Sequence, residues 1–187
     1  QSYQRSMIAL SLENSHLVGM FNDMRSMLLT RLKGDRGRRE TRRSLHYYFV
    51  AQDIHERANS SHFDHLKLTK IFEHSDIMFR FQRVIALQAK ACKDLSNSIL
   101  EAQVYQHAQN FEQTFQNLRI SLEKLQQDPA YHYHWINSLF SLYHNLKAID
   151  AQLSNIDTER HLQHEQQLPI YHQLNDDDLK GWSDIVV

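Results

Sequence analysis

Histidine and acidic side chains are the groups in this 187-residue sequence that could do chemistry, and there are 13 His and 22 Asp and Glu. The spacing Glu13-x-x-His16 is the one that ferritin-like sites use on two helices of a bundle, with one further Glu from each of two other helices. The sequence contains no second Glu-x-x-His. We therefore predict no catalytic residue, no metal site and no cofactor. A metal-binding helical-bundle enzyme stays as the alternative interpretation.

Other reactive residue types also lack the spacing of a site. His55 and Glu56 do not begin an HExxH zinc motif, because position 59 is Asn. His132 and His134 stand two residues apart and so point to different faces of a helix. The single cysteine, Cys92, lies on an apolar stripe and is interpreted as a small core residue. One cysteine also excludes an internal disulfide and is typical of a reducing compartment.

Positive charge is concentrated in residues 31–43, RLKGDRGRRETRR, while the whole chain has a net charge of −1. Two interpretations stay open: a solvated loop that closes a helical hairpin, or a contact with phosphate groups of lipid or nucleic acid. No aromatic residues are interleaved for base stacking, so nucleic acid is not expected as a partner. The predicted contacts with an anionic surface such as lipid headgroups are Arg36, Arg38, Arg39, Arg42 and Arg43.

Composition indicates the fold class. There are four Gly and two Pro, with none between Arg38 and Asp128, and 41% of the residues are hydrophobic. We predict an all-α fold, an antiparallel bundle of about five principal helices with a long central helix and an irregular C-terminal tail. Residues 1–157 would form the bundle and 158–187 a polar linker toward a following membrane segment. No apolar run reaches the roughly 18 residues of a membrane span, so the chain is expected to be soluble.

Two long helices carry most of the apolar periodicity. A central helix over residues 75–100 has a stripe at steps of three and four: Ile77, Phe81, Val84, Ile85, Cys92, Leu95 and Ile99. A first helix over residues 2–33 has a similar face: Leu10, Leu17, Phe21, Met24, Leu28 and Leu32. Four of the five Met lie in this first helix, and we predict that they pack in the core; an adaptable binding surface is the alternative interpretation.

The remaining helices are predicted over residues 40–58, 63–72, 110–125 and 129–157. The segment 63–72 either continues into the central helix or ends in a kink near His74, and the sequence leaves both open. The last helix is expected to start with Asp128 as its cap and Pro129 at its first position.

Three segments resemble one known family. Residues 45–62, LHYYFVAQDIHERANSSH, resemble the signature of YccS/YhfK-type inner-membrane proteins of the fusaric-acid-resistance (FUSC) family. Residues 75–92, SDIMFRFQRVIALQAKAC, are similar to the next helix of that family, and the ending LKGWSDIVV to the lead-in to its second membrane half. The resemblance implies a non-catalytic cytoplasmic domain between two membrane halves of a bacterial inner-membrane exporter of organic or aromatic acids. Its role would be assembly, gating or sensing, and a stand-alone helical adaptor is a further alternative.

Polar residues of these segments form the candidate site. Asp53 and Arg57 stand four residues apart, as do Asp76 and Arg80, so each pair can meet along a helix. We predict a network between the second and central helices; the rival interpretation is a surface that faces solvent or docks the membrane halves. The cluster comprises Asp53, His55, Glu56, Arg57, Ser61, His62, Asp76, Arg80 and Arg83. The expected partners are the flanking membrane helices, a second copy of the chain and anionic lipid headgroups.

Overall fold

The computed structural model describes residues 2–34, 39–60 and 65–165, with side chains over 4–32, 41–60 and 66–156. In these ranges the chain forms helices and no strand, which confirms the predicted all-α class. The helices are α1 (Ser2–Gly34), α2 (Arg39–Ser60), α3 (His65–Ile71), α4 (Ile77–Leu100), α5 (Asn110–Gln126) and α6 (Tyr133–Glu165). They divide into two compact units, and the boundary falls between His55 and Glu56. The predicted tail lies largely outside the described residues, so the predicted linker stays a prediction.

The first unit is an antiparallel hairpin of α1 and the larger part of α2. Leu28 packs with Leu45 and Tyr48 in a small buried cluster. Further along the hairpin, Phe21 meets Tyr48 edge to face with ring centroids 5.9 Å apart. The apolar steps of three and four on each helix therefore produce one seam between them.

The predicted core face of α1 is only partly correct. Phe21, Leu28 and Leu32 pack in the hairpin seam, as expected. Leu10, Leu17 and Met24 instead remain 39–62% exposed. The prediction that the methionines are core residues is wrong for α1, where the exposed ones are Met7, Met20, Met24 and Met27. The physical reason is that, within the described part of this unit, one neighbouring helix covers one side of a helix that is apolar on several sides.

The second unit is built on α4, α5 and α6. Phe72, just before α4, stacks on Tyr131, just before α6, and Gln88 meets Leu146 further along, so these two helices run parallel. Phe115 of α5 contacts Tyr143, and Glu112 pairs with Lys147 at 3.6 Å, so α5 runs antiparallel to α6. This up-down-up arrangement places one core between three helices. Its largest buried side chains are Leu68, Phe72, Ile77, Phe81, Phe115, Leu118, Leu122, Ile136, Leu139 and Leu153.

The stripe of α4 is narrower than predicted. Ile77, Phe81 and Val84 are buried, whereas Ile85 and Ile99 are 46% and 38% exposed. Gln88 is also buried on this side, although the apolar stripe did not predict it as a core residue. Its Nε2 donates to the carbonyl oxygen of Leu146 at 2.6 Å. A buried amide needs such a partner, because an unpaired one loses its hydrogen bond to water without replacement.

Local hydrogen bonds accompany two of the helix boundaries, the start of α4 and the start of α6. A turn over residues 72–76 separates α3 from α4, and Ser75 Oγ accepts the N–H of Ile77, so the kink is the correct one of the two alternatives. The predicted start of the last helix at Pro129 is wrong. Asp128 Oδ1 captures the N–H of Ala130 in a turn, and α6 begins at Tyr133. The same helix continues to Glu165, past the predicted end at Asp157.

The end of α4 positions the segment that follows it. Ala102 has φ 54°, a left-handed conformation that is uncommon outside glycine. The N–H of Gln103 donates to the carbonyl oxygen of Ser98 at 2.8 Å, which is the long bond of a Schellman ending. The chain therefore turns sharply after α4, and residues 103–108 lead back to α5 without helical structure.

Candidate functional site

The signature histidine on α2 is used within the hairpin. His55 is half-buried, and its Nε2 lies 2.8 Å from Asn14 Oδ1 on α1. Because an amide oxygen only accepts, His55 Nε2–H is the donor. The imidazole also packs on Phe21, with ring centroids 5.3 Å apart. His55 therefore links α1 to α2 through one polar and one apolar contact.

The next residues of the signature lie in the second unit. Glu56 is exposed and Arg57 is half-buried. The carbonyl oxygen of Arg57 accepts a hydrogen bond from Asn145 Nδ2 at 2.6 Å. This bond fixes the last turn of α2 against α6, and Asn145 was not identified from the sequence. Ser61 and His62 lie outside the described residues.

The charged residues of α4 form the predicted pair along the helix. Arg80 Nε lies 2.7 Å from Asp76 Oδ2, and both side chains are substantially exposed. An exposed pair four residues apart contributes about 0–1 kcal/mol. Arg83, one turn further, is exposed. The network expected between Asp53 or Glu56 and the arginines of α4 stays a prediction.

An open groove of about 220 Å³ runs beside these arginines between α4 and α5. Its α5 wall carries amide and hydroxyl groups that can donate or accept hydrogen bonds. Asp76 offsets the charge of Arg80, so the positive potential in the groove is weakened. The groove can therefore bind a ligand mainly through hydrogen bonds. The lining residues are Arg80, Arg83, Asn110, Gln113, Thr114 and Asn117.

The basic segment is only partly described. Arg36 and Arg38 lie outside the described residues, as does the side chain of Arg39. Arg42 and Arg43 are half-buried on the first turns of α2, so the end of the segment is helical. Arg43 stacks over the ring of Tyr47 and its Nε lies 3.4 Å from the Tyr47 hydroxyl. The contact with an anionic surface stays a prediction.

A chain of three polar side chains in the second unit was missed by sequence reasoning. His107 Nε2 lies 2.8 Å from Asp150 Oδ1, and the Tyr105 hydroxyl lies 2.9 Å from His107 Nδ1. The side chains of His107 and Asp150 are 17% and 13% exposed. The His107 ring also stacks on Phe111 with centroids 4.6 Å apart. These contacts attach the segment between α4 and α5 to α6, and 43 residues of sequence separate the imidazole from its carboxylate.

The alternative of a metal enzyme gains no support from the described side chains. No group of three or more His, Cys, Asp or Glu among them could hold a metal ion. Glu13 and His16 are both exposed on α1. In the same part of the chain, no helix is both long enough and apolar enough to cross a membrane.

Cys92 is half-buried on α4, and burial raises the pKa of its thiol above the ordinary value. A raised pKa leaves less thiolate at neutral pH, and the thiolate is the form that attacks. We expect Cys92 to react with a chromogenic disulfide reagent roughly tenfold more slowly in the native chain than in guanidinium chloride. Equal rates in the two conditions would contradict the interpretation of Cys92 as a structural core residue.

Comparison with known proteins identifies relatives. Residues 1–153 match a family profile named FUSC-like, whose description is "FUSC-like inner membrane protein yccS". The chain is 46% identical to the inner membrane protein YccS of Escherichia coli (strain K12), over 97% of this chain and 25% of that protein. It is 32% identical to an uncharacterized protein of Haemophilus influenzae, over 82% of this chain and 21% of that protein. The chain thus spans about a quarter of the length of these curated relatives. No solved structure matches it significantly.

Proposed function

The chain belongs to the FUSC-like family of inner-membrane proteins, and from that membership we propose that it is a non-catalytic helical domain of a longer transport protein. In this proposal the domain lies on the cytoplasmic side of the bacterial inner membrane. The full-length protein exports organic acids, aromatic acids among them. The membrane-embedded segments of the same chain are its neighbours, and the basic residues around Arg42 and Arg43 contact anionic headgroups.

The way the chain uses its buried polar groups supports a role in assembly. His55 and Gln88 each bond to a residue on another helix, and His107, in the segment before α5, bonds to Asp150 on α6. Asn145 does the same for the last turn of α2. A side chain that holds two helices together is held in one orientation by its partner, so it contributes to a fixed shape rather than to turnover.

Sensing of the cargo is the less favoured role. A sensor for organic anions needs a concentrated positive charge or several converging donors. In the groove beside α4, one of the two guanidinium groups already faces a carboxylate, that of Asp76. We therefore place assembly first.

A topology experiment tests the proposal on the full-length protein. Alkaline phosphatase, which is active in the periplasm, and a fluorescent protein that matures in the cytoplasm are each fused at positions that correspond to Gln1 and Val187. We expect fluorescence and no phosphatase activity at both positions. Phosphatase activity at either end would refute the cytoplasmic placement. Fusions in a periplasmic loop of the same protein provide the control.

A further inference from the structure

An exposed apolar face of α1 has a symmetric arrangement of residues. Leu17, Met20, Met24 and Met27 are 39–54% exposed. Glu13 and Arg31, also exposed, lie on the same face beyond the two ends of this stripe. With about 100° of rotation per residue, all six side chains point within roughly 40° of one direction on the helix. The face lies beside the hairpin seam that Phe21 and Leu28 form with α2.

The order of these six residues is self-complementary. If a second α1 lies antiparallel to the first and crosses it level with residue 22, Met20 of each copy meets Met24 of the other. Leu17 then meets Met27 in the same way. Glu13 of each copy then meets Arg31 of the other, so one pair of opposite charges lies at each end of the contact. We propose that this face is the surface through which two copies of the chain associate about a two-fold axis.

Symmetry explains why one helix can supply both sides of the contact. In a two-fold interface, residue i contacts residue j while j contacts i of the other copy. A surface that pairs with itself must therefore carry apolar residues around its centre and opposite charges at equal distances from it. Residues 13–31 of α1 satisfy both conditions.

The apolar area of the face is that of an ordinary interface. Leu10, 62% exposed at the edge of the face, extends the stripe to five apolar side chains. Each of these side chains exposes about 90 Å² of surface, which gives on the order of 450 Å² of apolar area per copy. A standard interface buries about 800 Å² per partner, of which roughly 60% is apolar. Methionine is enriched in such interfaces because its unbranched side chain adapts to its neighbours.

The charges distinguish a second copy from an apolar partner. A membrane helix or a lipid tail on this face would cover Glu13 and Arg31 without offering a counter-charge, and a buried charge without a partner is costly. A second copy supplies a counter-charge for both residues. Association of two copies through this face does not depend on the transport function.

Cysteine cross-linking tests both the contact and its direction. In a Cys92→Ala background, Leu17→Cys and Met27→Cys are combined in the 187-residue chain. Within one helix these positions are about 15 Å apart, too far for a disulfide, so any bond between them joins two copies. We expect mild oxidation to give a covalent dimer on a non-reducing gel.

The two single-cysteine variants are the controls. In the antiparallel arrangement, position 17 of one copy lies about 15 Å from position 17 of the other, so neither single variant should cross-link efficiently. Efficient cross-linking of the single variants would indicate a parallel contact and overturn the proposal. Absence of cross-linking in the double variant would overturn it as well.

Sedimentation equilibrium measures the strength of the contact without cysteines. Met20→Glu combined with Met24→Glu should raise the dissociation constant of the dimer by about 100-fold, because four carboxylates then meet at the centre. The matched control is Val18→Glu, on the opposite side of the same helix and 41% exposed, which should change the constant less than about threefold. Circular dichroism checks that each variant keeps its helix content.

A charge swap tests the pairing at the ends. Glu13→Arg alone should weaken the dimer by roughly tenfold, because two attractive pairs become repulsive. Adding Arg31→Glu to the same chain should restore most of the affinity. If the double variant dimerises no more tightly than the single one, this antiparallel contact is wrong. It is also wrong if the unmodified chain is monomeric at roughly 100 μM, a concentration well above the dissociation constant of a standard interface.

Discussion

Replacing Phe81 by alanine is expected to lower the free energy of unfolding by about 3–5 kcal/mol. Phe81 is 2% exposed, on the side of α4 that faces the core of the second unit. Its truncation removes the ring from apolar surroundings and leaves a cavity that close-packed neighbours fill only in part. Urea denaturation followed by circular dichroism measures the change.

Lys90→Ala on the same helix is the matched control for Phe81→Ala. Lys90 is exposed and pairs with Asp94 at 2.5 Å along the helix surface. Such a pair contributes little, so the variant should lose less than about 0.5 kcal/mol. Equal denaturation midpoints for the two variants would mean that the buried side of α4 has been assigned incorrectly.

Replacing His107 by alanine is expected to lower the free energy of unfolding by about 2–3 kcal/mol. The change removes the hydrogen bonds of the imidazole with Tyr105 and Asp150 and its stacking on Phe111. It also leaves the mostly buried Asp150 carboxylate without its imidazole partner, and a buried acceptor that loses its donor is destabilising. Since these contacts hold residues 103–108 against α6, hydrogen exchange in that segment should accelerate as well.

His74→Ala is the control for His107→Ala, because the His74 side chain is 89% exposed and should contribute less than about 0.5 kcal/mol. A double-mutant cycle with Asp150→Ala separates the hydrogen bond from the loss of packing. We expect a coupling energy of about 1–2 kcal/mol between positions 107 and 150. Additive effects of the two substitutions would show that the contact is stabilising through packing alone.

The helical segments were predictable because their signals are local. In α5, steps of four and three residues bring Phe111, Phe115, Leu118 and Leu122 to one face, and all four are buried. The apolar residues of α6 recur at the same steps, and Leu139, Leu153 and Ile156 are among the buried ones. In both helices, neighbours in the unit cover the apolar side that the period defines.

The candidate site was less predictable. Asp76 and Arg80 form their pair as expected, because residues four apart on a helix are neighbours whatever surrounds them. His55 was selected from the family signature, but its partner Asn14 is 41 residues away and carries no signal in the sequence. Asn145 and His107 were not selected, since a single polar residue on a helix or loop is usually solvated.

The sequence by itself determined the class of the fold, the family and the approximate extent of most helices, because helical period, turn residues and capping act over a few positions. Tertiary structure alone decided which apolar faces are covered. Leu17 of α1 and Leu139 of α6 lie on equally regular stripes, yet the first is 39% exposed and the second is buried. The helical period of the apolar residues indicates which of them share a face. Whether that face is buried depends on whether another helix packs against it. Gln88 and Leu146 lie 58 residues apart, so only the packing of α4 against α6 brings them together.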